Sequence, residues 1–317
     1  MTTPLPVGPL TPYVTPELLV SAPTGISWST IPPGQGVTPA QRYAEQLNIC
    51  ARATTQADQY CNQILRATTD VETLHGPDYR ATVQTGSGLG RLILQRWPIL
   101  DVVSVQVSPN TFPRSWTTVP SGYYAPEVPV VGLYGSVAPS SAGEGGQAIL
   151  VQQGYLNWAL GRNGYVIQIQ YVNGWPHCSL TANASAGAGS VTVDDCTGWA
   201  LTGAASSQAG ATGTVYDTGG LQETVQVTAS SVTSGPGTLT LASDLQYAHE
   251  AGTLVSTLPA SVQWAVILFG TAQALTRGAT STTIHQIPGG SGGAGAKGPE
   301  DITGEGELLL HPYRRTI

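Results

Sequence analysis

Residues 165–176, Tyr-Val-Ile-Gln-Ile-Gln-Tyr-Val-Asn-Gly-Trp-Pro, end one region of the chain and open another. Apolar and polar side chains alternate from Tyr165 to Val172, which predicts a half-buried β-strand. The following Asn173–Pro176 stops that strand, because Gly and Pro favour turns. Residues 177–257 then hold short alternating segments separated by Gly, Ser and Thr, which predicts an inserted all-β domain. Its predicted strands are 189–193, 223–227, 238–241 and 253–256.

Two helices are predicted on either side of this insert. Thr38 is a natural N-cap and Pro39 fits the first helical position, so a helix begins there and runs to about residue 66. Apolar residues recur along it at three- and four-residue steps, which predicts one buried stripe: Tyr43, Leu47, Cys50, Ala53, Ala57, Cys61 and Ile64. The second helix runs from Leu258 to about Arg277, with Gly278 just beyond its end. Further strands are predicted at 91–98, 102–107 and 148–153.

Both ends of the chain are predicted to be arms. Residues 1–37 are rich in Pro and should be extended, apart from a short helix that starts at Thr15-Pro16. Residues 280–317 contain a Gly-rich tether at 289–295 and an apolar end. We expect that end to add an edge strand to another chain's sheet, with its arginines on an acidic partner or, as an alternative, on DNA phosphates. The predicted partner-binding residues are Leu308, Leu309, Leu310, Tyr313, Arg314 and Arg315.

The charge of the chain limits its partners. Charged residues make up only 10% of the sequence and the net charge is −7, with no basic run beyond Arg314-Arg315. A protein that grips nucleic acid usually shows a basic patch, so specific DNA binding is not expected, although a neutral or acidic ring can still surround DNA as a conduit. No apolar run is long enough for a transmembrane helix, and the first residues predict no signal peptide.

Patterns that carry catalysis or bind metal are not visible in the sequence. The five histidines are scattered, and no pair has metal-ligand spacing. Asp194-Asp195 fits a solvated turn better than a cation site. Cys178 and Cys196 are expected to be thiols in a reducing cytoplasm, with a disulfide as the alternative. Five tryptophans are candidates for a sugar-binding platform: Trp97, Trp158, Trp175, Trp199 and Trp264. Packing in cores or subunit contacts explains them better. We therefore predict no enzymatic activity, cofactor or metal.

Three segments resemble one known family. Leu92–Val105, Leu-Ile-Leu-Gln-Arg-Trp-Pro-Ile-Leu-Asp-Val-Val-Ser-Val, is similar to the "P-(I/V)-x-x-V-x-S-V" segment of tailed-bacteriophage head–tail connector (adaptor, head completion) proteins. Tyr171–Pro176 is similar to the family's "Y-x-x-G-(W/F)-P" element. Leu258–Ala265, Leu-Pro-Ala-Ser-Val-Gln-Trp-Ala, is similar to the helix that follows that element directly in shorter members. The resemblance covers roughly 38–110, 148–176 and 258–279.

The resemblance implies a structural virion protein of the neck, assembled in the host cytoplasm. It implies an α+β fold, with a helical connector core and a small antiparallel sheet formed by 38–176 and 258–279. The insert 177–257 and the arms 1–37 and 280–317 would be additions to that core. The implied partners are the portal protein, further copies in a dodecameric ring, and a tail stopper or tail terminator, with genomic DNA passing through unbound. Two rival functions are a tail or baseplate carbohydrate-binding adhesin module and a tail hydrolase.

Overall fold

The fold is mostly β and antiparallel. The computed structural model describes residues 11–32, 36–75, 81–83, 89–126, 148–152, 165–199, 211–217, 221–281 and 298–315. Within these ranges there are four α-helices, and strands outnumber them. The prediction of an α+β fold with a helical connector core is therefore wrong. No helix in these ranges is long and apolar enough to cross a membrane.

The elements are numbered in chain order. The helices are α1 (Pro16–Ser21), α2 (Pro39–Cys61), α3 (Ala260–Thr276) and α4 (Pro299–Leu310), with 3-10 turns at Trp28–Thr30, Ser121–Tyr123 and His311–Tyr313. The strands are β1 (Ile26–Ser27), β2 (Thr68–His75), β3 (Ala81–Val83), β4 (Leu89–Ile93), β5 (Ile99–Pro109), β6 (Thr117–Thr118), β7 (Tyr124–Pro126), β8 (Ala148–Gln152), β9 (Tyr165–Asn173), β10 (His177–Ser179), β11 (Ser190–Val193), β12 (Thr212–Tyr216), β13 (Gln222–Ser230), β14 (Gly237–Leu241), β15 (Leu254–Ser256) and β16 (Thr280–Ser281).

The chain separates into two compact units. The sheet unit comprises residues 64–217 and 221–257, and the helical unit comprises residues 9–63 and 258–317. The predicted boundaries placed the helices 38–66 and 258–279 together with the strands in one core. In the structure the strands of the sheet unit and the helices of the helical unit each form cores of their own.

Two four-stranded sheets share one apolar core in the sheet unit. Their strand orders are β2-β9-β5-β6 and β3-β4-β8-β7. The core combines Ile169 and Tyr171 of β9 with Leu92 of β4 and Ile149 of β8, and all four are fully buried or nearly so. Alternate residues of a strand point to opposite faces, so the alternation at 165–172 was a sound signal for β9. Strand β2 was not predicted.

The insert forms a six-stranded sheet that curls on itself. Its strand order is β10-β15-β12-β13-β14-β11. The two edge strands meet through a bridge between Leu180 and Val193, with Asp194 N donating to Ser179 O at 3.0 Å. Curling pairs the edges that an open sheet would expose. The four predicted strands of the insert are confirmed as β11, β13, β14 and β15, and its core, centred on the buried Trp199, is its own.

Helix α2 starts as predicted but buries a different face at its first turns. Thr38 caps it, with its side-chain oxygen accepting from Gln41 N at 3.3 Å. The buried face then contains Ile49, Cys50, Ala53, Ala57 and Cys61. The predicted stripe also included Tyr43 and Leu47, which are 48% and 41% exposed, so that part of the prediction is wrong. The helix ends at Cys61, where Asn62 adopts a left-handed conformation.

The N-terminal segment is only in part what was predicted. Helix α1 begins after Thr15, whose side chain caps Leu18 N, so the predicted short helix is confirmed. The rest was predicted to be an extended arm, yet Tyr13, Trp28 and Ile31 are buried in the helical unit. Large apolar side chains on both sides of α1 explain this packing, because burying them stabilises the fold. Residues 1–10 lie outside the described ranges.

The C-terminal segment is a helix instead of an extended strand, which corrects the prediction. Glu300 and Asp301 occupy the first turn of α4, and Asp301 Oδ2 accepts from Gly298 N at 3.0 Å. The residues that α4 buries recur at four-residue steps: Ile302, Gly306 and Leu310. Gly306 lets α4 approach α3, because a Cβ there would lie 2.7 Å from the Phe269 ring. The predicted tether 289–295 lies outside the described ranges.

Candidate interaction site

The predicted partner-binding residues are held largely within their own chain. Leu310 and Tyr313 are buried in the helical unit, and Leu309 packs against the cluster formed by Leu268, Ala272 and Ile302. Arg315 N donates to Cys61 O at 2.9 Å, and the Arg314 guanidinium lies 5.4 Å from the centre of the Tyr60 ring. Leu308 is the exception, with 74% of its surface exposed. The structure therefore leaves Leu308 and the exposed Arg314 as the accessible members of the set.

Tyr313 anchors the end of the chain through two polar contacts. Its hydroxyl shares a 2.9 Å hydrogen bond with Ser261 Oγ, and its carbonyl accepts from Gln63 Nε2 at 3.0 Å. Burial raises the pKa of the Tyr313 hydroxyl, so it remains protonated and able to donate. The segment after α4 is thus fixed to α2 and α3 of the same chain.

Tyr313→Phe is expected to lower the free energy of unfolding of the helical unit by about 1 kcal/mol, the net value of one hydrogen bond. Thermal unfolding of the full chain, followed by circular dichroism at the helix band, measures this loss. Ser261→Ala is the matched partner variant, and the double variant should cost no more than the larger single loss. Losses that simply add would show that the two hydroxyls are not coupled.

Two of the segments that carry the family resemblance meet in the sheet unit. Gly174 N donates to Pro98 O at 2.9 Å, and the Trp97 and Trp175 rings pack edge to face with centroids 5.9 Å apart. Gly174 has φ +90°, and a Cβ there would lie only 2.5 Å from Arg66 O. The glycine of this motif is therefore required by both backbone conformation and space. We call residues 96–98 together with 171–176 the motif junction.

A polar network fixes one edge of the motif junction. Arg96 Nη1 contacts Asp70 Oδ1 at 3.0 Å, and Asn173 Nδ2 donates to the same carboxylate at 2.6 Å. The Tyr171 hydroxyl donates to Glu72 Oε2 at 3.1 Å and accepts from Arg96 N at 3.3 Å. Burial, followed by the charges of Glu72 and Asp70, raises the pKa of Tyr171. These contacts join β2, β9 and the turn before β5, so the paired acids serve the fold.

The other residues considered for chemistry are also used by the fold. Asp194 accepts from Ser179 N and Oγ, and Asp195 accepts from Thr197 N and Oγ1. No group of three or more His, Cys, Asp or Glu side chains that could hold a metal occurs among the described residues. All four cysteines are free and buried, and burial, ahead of nearby carboxylates, raises the pKa of Cys50 and Cys61 to about 12. These thiols are therefore not nucleophiles at neutral pH.

The tryptophans do not form the sugar platform that was considered. Trp97, Trp175 and Trp199 are buried, Trp264 is half-buried, and Trp158 lies outside the described ranges. Stacking on a sugar ring requires an accessible aromatic face, so three of the five are unsuitable. The curled sheet also encloses only a cavity of about 10 Å³, which is at the lower limit for one water.

One buried histidine lies between two carboxylates in the curled sheet. His249 Nδ1 contacts Asp217 Oδ2 at 3.0 Å and Nε2 contacts Glu223 Oε1 at 2.5 Å. The imidazole therefore bridges Asp217, directly after β12, and Glu223 in β13. Burial of Glu223 favours its neutral form, but hydrogen bonds from Gln246 N, His249 and Tyr247 N outweigh it and lower the pKa of Glu223. We call His249, Asp217 and Glu223 the histidine triad.

A hairpin tip between β5 and β6 is the most exposed apolar feature in the described part of the chain. The sequence contains two phenylalanines, and Phe112 at this tip is 99% exposed while Phe269 is fully buried. The guanidinium of Arg114 lies 5.9 Å from the centre of the Trp116 ring. Sequence reasoning missed this site, although an aromatic residue and an arginine between two alternating segments were a usable signal. A fully exposed phenylalanine beside an arginine makes this tip a candidate for contact with a partner.

The comparisons with known proteins leave these features as the basis for any functional assignment. No family model matches the chain, and no curated protein or solved structure is significantly similar to it.

Proposed function

We propose that the chain is a structural protein of a tailed-bacteriophage neck, an adaptor that forms a ring beneath the portal and joins capsid to tail. In this role it is not an enzyme, and its partners are the portal, further copies of itself, and a tail stopper or tail terminator. Genomic DNA passes through the ring without specific binding, which is compatible with a net charge of −7.

The observation that carries this proposal is the motif junction. Its two segments are distant in the sequence, and each resembles an element of one family. They meet through the Gly174–Pro98 hydrogen bond, the Trp97–Trp175 contact and the Tyr171–Arg96 hydrogen bond. Residues that contact one another constrain each other's size and conformation. The contacts between the two segments therefore support treating them as one motif.

The surface supplies a second, independent argument for assembly. Only 10% of the residues are charged, far below the usual quarter. Large apolar side chains nevertheless lie exposed on different elements, among them Leu47, Phe112 and Leu308. A protein that worked alone would leave these groups in water, whereas a ring subunit covers them with its neighbours.

Purification of the full chain, alone and co-expressed with the portal protein from the same genome, tests the proposal. We expect a ring in negative-stain images, with a mass close to twelve times the 32.8 kDa of one chain or a complex that co-elutes with the portal. A chain that remains a single copy in both preparations would overturn the proposal. Binding to a glycan array without any assembly would instead favour the adhesin alternative.

A further inference from the structure

The hairpin tip projects from a base that is anchored by β5–β6 pairing. Strands β5 and β6 pair through Gln106 with Thr118 and Val107 with Thr117, and Val119 N donates to Val105 O at 2.8 Å. Residues 109–115 beyond this ladder are all exposed. The tip therefore presents the Phe112 ring and the Arg114 guanidinium on a short, anchored loop, and ordering it on a partner costs little entropy.

A face of matching character lies on the first turns of α2 in the helical unit. Four exposed residues recur there at the spacing of one helical stripe, namely Ala40, Tyr43, Ala44 and Leu47. We call these four residues the α2 stripe. Its alanines leave shallow spaces beside Tyr43 and Leu47, which suits insertion of one aromatic ring.

The charged side chains beside the α2 stripe favour a positively charged partner. The Glu17 carboxylate contacts Tyr43, and burial together with that carboxylate raises the pKa of the Tyr43 hydroxyl. Glu45, on the same helix but outside the stripe, is already paired with Arg52 and Arg277. Glu17 therefore supplies the local negative charge at the edge of the stripe, whereas the tip residues 108–118 contain Arg114 and no acid.

We propose that Phe112 of one copy inserts into the α2 stripe of a second copy, between Tyr43 and Leu47, while Arg114 pairs with Glu17 of that copy. The occupant is a second copy because apolar character and charge are complementary between these two surfaces of one chain. The contact joins different surfaces of the two copies, and repetition of such a contact closes into a ring or extends into a filament. This inference rests on the proposed ring and identifies a contact within it.

Cysteine cross-linking of the assembled chain tests the geometry. The four native cysteines are buried, so cysteines introduced at exposed positions react selectively under mild oxidation. The double variant Thr111→Cys/Ala44→Cys keeps Phe112, Tyr43 and Leu47 and places thiols at exposed positions beside them, so it should give a ladder of disulfide-linked oligomers on a non-reducing gel. The control Thr111→Cys/Leu308→Cys places the second thiol at a position of the same unit that is 74% exposed but outside the α2 stripe, and it should give none. No ladder in the first variant, or equal ladders in both, would overturn the contact.

Charge reversal tests the ion pair without changing the apolar groups. Arg114→Glu and Glu17→Arg should each raise the protein concentration at half-assembly about tenfold, and the double reversal should restore most of the loss, because opposite charges again face each other. Losses that accumulate in the double variant would overturn the pairing.

These outcomes separate the inference from the proposed function. Rings that form normally and show neither the cross-link nor charge rescue overturn the contact and leave the adaptor proposal intact. Cross-linked, charge-dependent filaments or dimers without rings support the contact and overturn the ring. A chain that never assembles overturns both.

Discussion

His249→Ala is expected to lower the free energy of unfolding of the curled sheet by about 3–5 kcal/mol. The variant removes the imidazole that bridges Asp217 and Glu223, and both carboxylates then lose that contact in a largely buried place. Removing one member of a buried hydrogen-bonded cluster in this way is costly because the remaining carboxylates lose a contact that had replaced solvent. Hydrogen exchange of the full chain localises the loss to β12, which Asp217 directly follows, and to β13, which contains Glu223.

Glu250→Ala is the matched control for this prediction. Glu250 follows His249 directly but is exposed, so its removal should change the unfolding free energy by less than about 0.5 kcal/mol. Equal protection of β12 and β13 in His249→Ala and Glu250→Ala would show that the histidine triad contributes nothing to the fold.

The same triad predicts a loss of stability in acid. The pKa of Glu223 is lowered in the folded chain from its ordinary value of 4.5, so folding is favoured when Glu223 is ionised. This contribution is fully present above pH 4.5 and is lost as the pH falls through the lower folded-state value. His249→Ala removes a main cause of the lowered pKa, so the variant should show a weaker acid dependence.

Three helix ends were predictable from the sequence because they depend on neighbouring residues alone, whereas the end of α2, predicted at about residue 66, lies at Cys61. Thr38-Pro39 fixed the start of α2, Thr15-Pro16 fixed the start of α1, and Gly278, with φ +89°, follows the end of α3. Each signal acts through one hydrogen bond or one dihedral angle within a few residues. No knowledge of the tertiary fold is needed to use it.

Strand β2 escaped prediction because polar residues occupy most of its inward-facing positions. Asp70, Glu72 and Leu74 point to one face, while the apolar Val71 is 38% exposed on the other. An alternation rule assigns polar residues to solvent, and here Arg96 and Tyr171 supply the partners that make burial of the acids tolerable. Those partners come from distant parts of the chain, so the sequence around β2 could not reveal them.

The C-terminal helix was misassigned for a related reason. Leu308, Leu309 and Leu310 form an apolar triplet, and three adjacent apolar residues do not distinguish a strand from a helix. The residues that indicate a helix, Ile302 and Gly306, come earlier in the segment. Gly306 is informative only once the fold is known, because its missing Cβ lets Phe269 approach closely. The composition of residues 308–310 thus indicated that this segment packs against another surface. It did not indicate that the segment is helical or that the surface belongs to the same chain.

The motif junction was predictable as a list of residues but not as a site. Trp97-Pro98 and Gly174-Trp175 were quoted as separate elements, and their meeting required the register of β5 against β9. That register contains two irregularities, between Ile99 and Asp101 and between Val102 and Ser104, which no periodicity argument anticipates. These residues therefore suggested a function before the structure was known. The sequence alone could not explain why each of these positions holds the residue type that it does.

Gly174→Ala is expected to lower the free energy of unfolding of the sheet unit by about 2–4 kcal/mol. The backbone there has φ +90°, which L side chains rarely adopt, and the new Cβ would lie 2.5 Å from Arg66 O. That oxygen is main chain, beside the hydrogen bond from Trp175 N to Leu65 O at 2.9 Å, so it cannot move without weakening the junction. Urea unfolding of the full chain measures the loss, and hydrogen exchange at β9 should show where it arises.

Gly252→Ala separates the two causes of this loss. Gly252 has nearly the same backbone conformation, φ +92°, but nothing lies within 4 Å of the position of its Cβ. Only the conformational cost of about 1–2 kcal/mol should therefore appear. The difference between the two variants measures the steric part, which exists only if residues 65–67 pack against the Gly174-Trp175 turn. Equal losses would contradict that packing, and with it the argument that the motif glycine is required by the junction.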